Sequence, residues 1–135
     1  MTSQKHCLLL VEDNQDDVFL MKRAMSKANP DLRMHVASDG QEALDYLAGV
    51  GNYADRASCP LPQCIFLDLK LPFVHGFEVL EWIRNRPSLA HITVFVLTSS
   101  PEDRDLQRAK ELGAKAYLVK PPTPQMLLQV LESVL

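Results

Sequence analysis

Residues 7–13, CLLLVED, contain the strongest structural signal in the sequence, because an unbroken apolar run ends directly at Glu12 and Asp13. A short apolar run without alternation predicts a strand that is covered on both faces, as in a parallel sheet. Residues 64–69, 94–97 and 116–119 have the same pattern. Residues 33–37 alternate between polar and apolar side chains and predict an edge strand.

Helical periodicity separates these runs. The apolar stripes that predict helices are Val18, Met21, Met25 and Ala28, then Phe77, Leu80 and Ile83 with Trp82, and finally Leu127, Val130, Leu131 and Val134. Strands that alternate with helices predict an α/β fold, in which right-handed crossovers place helices on both faces of a doubly wound, five-stranded parallel sheet.

Helix boundaries are predicted from capping residues. The signals are a capping box at Ser38 and Gln41, an N-cap followed by proline at Ser100-Pro101 and at Thr123-Pro124, and a left-handed cap at Gly113 after a helix that ends at Leu112. Residues 49–62 are rich in Gly, Pro, Asn and Asp and predict an extended surface loop before the third strand.

Length and composition narrow the class of protein. The chain has 135 residues and a formal charge of −3, with 47% apolar and 23% charged residues, which fits one domain over residues 1–135. We expect no direct nucleic-acid binding, because the chain has no basic patch, and no membrane span. Three cysteines without an export signal predict reduced thiols and a cytoplasmic protein.

Polar side chains follow the ends of four predicted strands. Glu12 and Asp13 end the first strand, Asp68 lies in the third, Thr98 ends the fourth and Lys120 ends the fifth. Ligands of open parallel sheets bind beyond the carboxyl ends of the strands, so neighbouring first and third strands would bring the three acids together. Clustered carboxylates need shared protons or a cation, and hard oxygen ligands suit Mg²⁺. With Lys120 and Thr98 beside them, they predict a metal-assisted phosphoryl-transfer site with a carboxylate nucleophile.

The sequence resembles the receiver domains of response regulators, the CheY-like phosphoacceptor modules of two-component signalling. The matching segments are residues 8–13 (LLLVED), residues 66–68 (FLD) followed by Pro72 and Gly76, residues 96–99 (VLTS) and residues 117–121 (YLVKP). Together they span almost the whole chain. The long loop after the second helix further resembles stand-alone regulators paired with phytochrome-type kinases. This resemblance implies a flavodoxin-like sheet with strand order 2-1-3-4-5.

The resemblance also implies a Mg²⁺-dependent reaction at Asp68. Asp68 would accept a phosphoryl group from a phosphohistidine on a sensor histidine kinase, in a protein that takes part in its own phosphorylation and dephosphorylation. Asp13 and Asp68 would bind Mg²⁺ directly, Glu12 would bind it through water, and the backbone carbonyl of Lys70 would complete the protein ligands.

Three further residues receive roles from the resemblance. Lys120 would form an ion pair with the aspartyl phosphate and precede a cis peptide bond to Pro121. Thr98 would move its hydroxyl toward the phosphoryl group, and Tyr117 would turn inward. This shift would remodel the face formed by the fourth helix and fifth strand, where a downstream protein target binds.

Two other functions share this fold class. An aspartate-based phosphatase of the haloacid-dehalogenase type usually needs a second acid two residues after the nucleophile, where this chain has Lys70. The Lys70 ammonium either lies near the phosphate or is solvated. A flavodoxin-like flavin module needs a Ser/Thr-rich loop after the first strand, where Glu12-Asp13-Asn14 stand instead. The apolar surface of the last helix, with Met126, Leu128 and Leu135, is wider than one buried face requires, and it predicts either a deeply packed terminal helix or a homodimer or partner surface.

Overall fold

The computed structural model describes residues 7–71, 74–99 and 102–134 of the chain. In these residues strands and helices alternate, in the order β1 (Cys7–Val11), α1 (Gln15–Ala28), β2 (Arg33–Ala37), α2 (Gly40–Ala48), β3 (Cys64–Asp68), α3 (Gly76–Arg84), β4 (Thr93–Thr98), α4 (Asp103–Glu111), β5 (Ala116–Val119) and α5 (Pro124–Leu131). None of the helices in the described part of the chain is long and apolar enough to cross a membrane.

The strands form one parallel sheet in the order β2-β1-β3-β4-β5, which confirms the predicted topology. In this sheet Val11 of β1 pairs with Leu67 of β3, so the residues that follow them, Glu12 and Asp68, stand level at the carboxyl edge. Thr98 of β4 pairs with Val119 of β5, which brings Lys120 one position beyond Thr98.

The two faces of the sheet carry separate apolar cores. On one face, side chains of β1, β3 and β4 such as Leu9, Ile65 and Val96 pack against α2, α3 and α4. On the other face, side chains such as Leu10 and Phe66 pack against α1 and α5. All residues of β1 and β3 are buried, because both faces are covered by helices.

The fifth strand differs from the prediction that it is covered on both faces. Only Leu118 of β5 is buried, whereas Ala116, Tyr117 and Val119 are exposed. The apolar run does form a strand, but β5 is an edge strand that pairs only with β4 in the described residues. Its apolar composition therefore does not mean that it is buried within this chain.

The predicted helix boundaries were partly wrong. Asp39, not Ser38, is the N-cap of α2, and its side chain accepts a hydrogen bond from the Glu42 N–H at 2.8 Å. In a capping box the Glu42 carboxylate would accept from the N–H of the cap itself; here it accepts from the N–H of Ser38, the residue before the cap, at 3.2 Å. Helix α4 begins at Asp103 with Glu102 as N-cap, and the Ser100-Pro101 signal lies outside the described residues.

The other boundary signals agree with the structure. Thr123 caps α5 by accepting from the Met126 N–H, and Pro124 is its first residue. Helix α4 ends at Glu111, and Gly113 has a positive φ of 93°.

Residues 49–62 form a surface loop, as predicted, in which most residues are exposed while Tyr53 and Arg56 contact the rest of the fold. A short 3-10 turn, Gly51–Tyr53, brings the Tyr53 ring within 5.2 Å of the Tyr46 ring, and His35 of β2 stacks on Tyr46 with ring centroids 4.4 Å apart. The Arg56 guanidinium donates to the Tyr46 carbonyl at 2.8 Å. The loop therefore covers the β2 side of the fold.

Arg84, the last residue of α3, connects this helix to the end of α4 through hydrogen bonds. Its guanidinium donates to four backbone carbonyls, those of Ala90 at 2.6 Å, Ile92 at 3.2 Å, Leu112 at 3.3 Å and Gly113 at 3.0 Å. The last two lie at the carboxyl end of α4, so this end of the helix is held by charged donors.

Candidate functional site

Three carboxylates meet at the carboxyl edge of the sheet. Glu12, Asp13 and Asp68 each offer an oxygen, and these oxygens lie within 4.8 Å of one another. Glu12 and Asp68 are buried and Asp13 is exposed. The parallel register produces this convergence, because Glu12 follows β1 at the level at which Asp68 ends β3. Carboxylate oxygens at this spacing suit a hard divalent cation such as Mg²⁺.

The Asp68 carboxylate is held at both oxygens. Oδ1 accepts a hydrogen bond from the Lys70 N–H at 3.0 Å, and Oδ2 lies 3.0 Å from Lys120 Nζ. Behind the carboxylate, Gly76 at the start of α3 packs so closely that a Cβ atom there would lie 2.6 Å from the Asp68 carbonyl oxygen. The loop after β3 thus places Asp68 through backbone contacts.

The Lys120 ammonium forms ion pairs with three carboxylates. It contacts Glu12 Oε1, lies 3.0 Å from Asp68 Oδ2 and lies 3.2 Å from Asp17 Oδ2. Burial alone would lower the pKa of Lys120, but its hydrogen bonds with Glu12 and Asp68 outweigh this effect and raise it. Lys120 is therefore a fixed positive charge, and the peptide bond that follows it, to Pro121, is cis.

Glu12 is the carboxylate of the site whose pKa is shifted most from its ordinary value. Burial raises its pKa to about 7; the ion pair with Lys120 opposes this shift and the nearby Asp68 carboxylate adds to it. Its Oε2 accepts from the Asn14 N–H at 3.2 Å. A cation at this position would have to displace a proton from Glu12 near neutral pH.

The predicted switch residues lie on the neighbouring strands β4 and β5. Thr98 is buried at the end of β4, and Tyr117 on β5 is 48% exposed. A groove of about 490 Å³ lies beside Tyr117, between α4 and β5, and is lined in part by Val96, Leu106 and Ala109. The structure leaves room next to Tyr117 for its ring to move.

Lys70 contributes its backbone to the site, and its side chain is exposed. Exposure agrees with a solvated ammonium, one of the two positions that the sequence left open.

Sequence reasoning missed Asp17. It lies in the first turn of α1, where the Asn14 side chain caps the helix by accepting from the Asp17 N–H at 3.0 Å. A carboxylate in the first turn stabilises any helix through the helix dipole, so an aspartate at this position in the sequence does not by itself indicate a function. Only its contact with Lys120, 103 residues later, distinguishes it.

Comparison with known proteins agrees with this geometry. Residues 8–132 match the model of the response regulator receiver domain family. The chain is 41% identical to the bacteriophytochrome response regulator AtBRR, whose structure superposes with a TM-score of 0.87 over 98% of this chain and 94% of that one.

Two cyanobacterial structures are also similar. Response regulator Rcp1 of Synechocystis is 33% identical over 94% of this chain and 84% of its own length, and its Mn²⁺-bound form superposes with a TM-score of 0.78, covering 96% and 91% of the two chains. The phosphorylated phytochrome response regulator RcpA is 32% identical, with a TM-score of 0.81 over 97% of this chain and 91% of that one. With its CheY-like fold and its carboxyl-edge cluster of acids, the chain belongs to the receiver domain family of two-component response regulators.

Proposed function

We propose that the protein is a single-domain phosphorylation switch in which Asp68 accepts a phosphoryl group from a sensor histidine kinase. The observation that carries this proposal is the cluster of Glu12, Asp13 and Asp68 with the ammonium of Lys120 held against it. The family match over residues 8–132 supports one receiver domain over residues 1–135.

The transfer step needs a carboxylate nucleophile and compensation for negative charge. An oxygen of Asp68 forms a bond to phosphorus, the phosphorus–nitrogen bond of the phosphohistidine breaks, and its electron pair leaves with the imidazole. Lys120 is close enough to Asp68 to pair with the resulting phosphoryl oxygens. Water attack on the same phosphorus returns Asp68 to its carboxylate form.

Glu12, Asp13 and Asp68 would hold Mg²⁺ together with the carbonyl of Lys70. Their oxygens are the ligands that Mg²⁺ prefers, and the Lys70 backbone already lies against Asp68. When bound, the cation supplies positive charge that offsets the phosphoryl group and the carboxylates. The similar protein Rcp1 has been solved in a Mn²⁺-bound form, which supports a divalent cation here.

The kinase is proposed to dock on α1, beside the site. Phe19 and Leu20 of α1 are 62% and 39% exposed, although both are large apolar side chains. Leu20 also lines a small pocket with Lys120. We expect Phe19→Glu to slow phosphotransfer from the kinase while leaving phosphorylation by acetyl phosphate unchanged. Similarity to AtBRR and RcpA makes a phytochrome-type kinase the first to test.

The signal is proposed to leave through Tyr117 and the groove beside α4. Phosphorylation would draw the Thr98 hydroxyl toward the phosphoryl group and let Tyr117 turn inward, which changes the surface available to a downstream protein. The exposed Tyr117 ring and the adjoining groove support this route. No direct nucleic-acid contact is needed for it.

Incubation with acetyl phosphate and Mg²⁺, followed by intact mass measurement, tests the function. We expect the mass of one phosphate to be added to the wild type and not to Asp68→Asn. Asp31→Asn, which removes an exposed carboxylate, is the matched control and should be phosphorylated normally. Absence of an adduct on the wild type would contradict the proposal.

The same preparation distinguishes the other functions. Turnover of many phosphate esters would indicate a phosphatase, and a bound flavin would indicate a flavodoxin-like module.

A homodimer through α5 remains a proposal, supported by the 46% exposure of Leu128; Leu135 lies outside the described residues. Sedimentation with and without phosphorylation tests it, and a monomer under both conditions would contradict it.

A further inference from the structure

Asp17 is the third carboxylate on Lys120 and does not belong to the acidic cluster itself. Its Oδ2 lies 3.2 Å from Lys120 Nζ, whereas the cluster consists of Glu12, Asp13 and Asp68. The Asp17 side chain is 32% exposed and that of Lys120 is 9% exposed, so this contact lies at the mouth of the site.

The backbone holds Asp17 in place. The Asn14 side chain accepts from its N–H at 3.0 Å and starts α1 at this point. The next residue, Val18, is buried, which fixes the rotation of the helix against the sheet. Asp17 therefore meets Lys120 from a rigid element, and the carboxylate cannot leave the site without a change of its side-chain rotamer.

Phosphorylation changes the other two partners of Lys120 but not Asp17. Once Asp68 carries a phosphoryl group, one of its carboxylate oxygens is bonded to phosphorus as an acyl phosphate, and Glu12 lies in the cluster that would hold the cation. Asp17 alone keeps its carboxylate available to Lys120. An ammonium that is shared with a carboxylate offers less positive charge to an incoming anion.

We propose that Asp17 is a positioning residue that holds back phosphorylation by competing with the phosphoryl oxygens for Lys120. This assignment rests on the function proposed above. Asp17 repels the anionic donor and binds the ammonium that the phosphoryl group requires, so its charge lowers the rate at which Asp68 is phosphorylated. The same contact links Lys120 to α1, the helix proposed to receive the kinase.

Asp17→Asn tests the charge with little change of shape. At saturating Mg²⁺ and limiting acetyl phosphate, we expect phosphorylation to be about three to ten times faster than in the wild type, and the gain to shrink at high salt. Asp16→Asn removes the same charge from the neighbouring exposed residue and should change the rate less than about twofold. Asp17→Glu, which keeps the carboxylate, should return the rate toward that of the wild type.

Calorimetric titration with Mg²⁺ alone gives a second readout. Loss of a nearby negative charge should weaken Mg²⁺ binding by about two- to threefold, opposite in direction to the faster phosphorylation. A folding defect would lower both the Mg²⁺ affinity and the rate. No adduct on the wild type would overturn the proposed function, whereas an unchanged or slower rate for Asp17→Asn would overturn only the role of Asp17.

Discussion

Replacing Gly76 with alanine should impair the site through the backbone, without touching an acidic residue. A Cβ atom at this position would lie 2.6 Å from the Asp68 carbonyl oxygen and 2.6 Å from Leu69 Cα. Ordinary contact begins near 3.4 Å, so the backbone behind Asp68 has to move by about 0.8 Å. Neither contact atom belongs to a flexible side chain that could turn away.

The intrinsic preference of alanine for helices acts in the opposite direction. Gly76 is the first residue of α3, and alanine is favoured over glycine by up to about 1 kcal/mol in a helix. Overpacking costs about 1–3 kcal/mol, so we expect Gly76→Ala to lower the free energy of unfolding by about 1–2 kcal/mol. A displacement close to 1 Å at the nucleophile should slow phosphorylation by about 10- to 100-fold.

Urea denaturation measures the first effect, and phosphorylation by acetyl phosphate at saturating Mg²⁺ measures the second. Gly51→Ala is the control for a glycine replacement that causes no steric contact. A Cβ atom there meets nothing within 4 Å, and the only strain comes from the positive φ of 59°. It should cost about 1 kcal/mol of stability and leave the phosphorylation rate unchanged. If Gly76→Ala matches the wild type in both measurements, the close backbone packing does not position Asp68.

Arg84→Met should lower the free energy of unfolding by about 2–3 kcal/mol, because four carbonyls lose a charged donor. Arg86→Met, which removes a guanidinium 4.2 Å from a tryptophan ring, should cost less than about 1 kcal/mol in the same urea titration, and equal costs would contradict the role of Arg84. Because burial raises the pKa of Glu12 to about 7, the Mg²⁺ affinity measured by calorimetry should fall as the pH is lowered from about 8 to about 6. If the affinity of Glu12→Gln falls equally over this range, protonation of Glu12 is not the cause. Burial lowers the pKa of His35, and this effect is larger than the opposite effect of the nearby Glu42 carboxylate. The unfolded state therefore binds more protons than the folded state, and the free energy of unfolding should fall as the pH drops through about 6.5. His35→Gln should lose that part of the pH dependence, and identical pH profiles would contradict it.

The buried strands could be predicted because both of their faces are covered. In β1 and β3 every position is buried, and the sequence shows this directly as an apolar run that ends at an acid. The exposure of β5 could not be predicted in the same way. Its residues are as apolar as those of a covered strand, and only its place at the edge of the sheet shows that Tyr117 remains exposed.

Helix boundaries were predictable only where one capping residue stood alone. Thr123 with Pro124 has no competitor and caps α5 as predicted. At α2, Ser38 and Asp39 are both good caps, and the structure selects Asp39 because its side chain reaches the Glu42 N–H. Local preference does not distinguish two adjacent candidates when the turn that decides between them depends on the rest of the fold.

The sequence alone determined which elements form and which chemistry ends each strand, because apolar periodicity and the residue that follows each apolar run are local properties of the chain. It could not determine which carboxylates share Lys120. Asp68 and Asp17 are 52 and 103 residues away from it, and they meet at the ammonium only after β1, β3 and β5 have taken their places in one sheet and α1 has packed on its face. Distances between charges depend on packing, and tertiary structure therefore decided how Asp17, an acid with no distinguishing sequence signal, came to lie at the site.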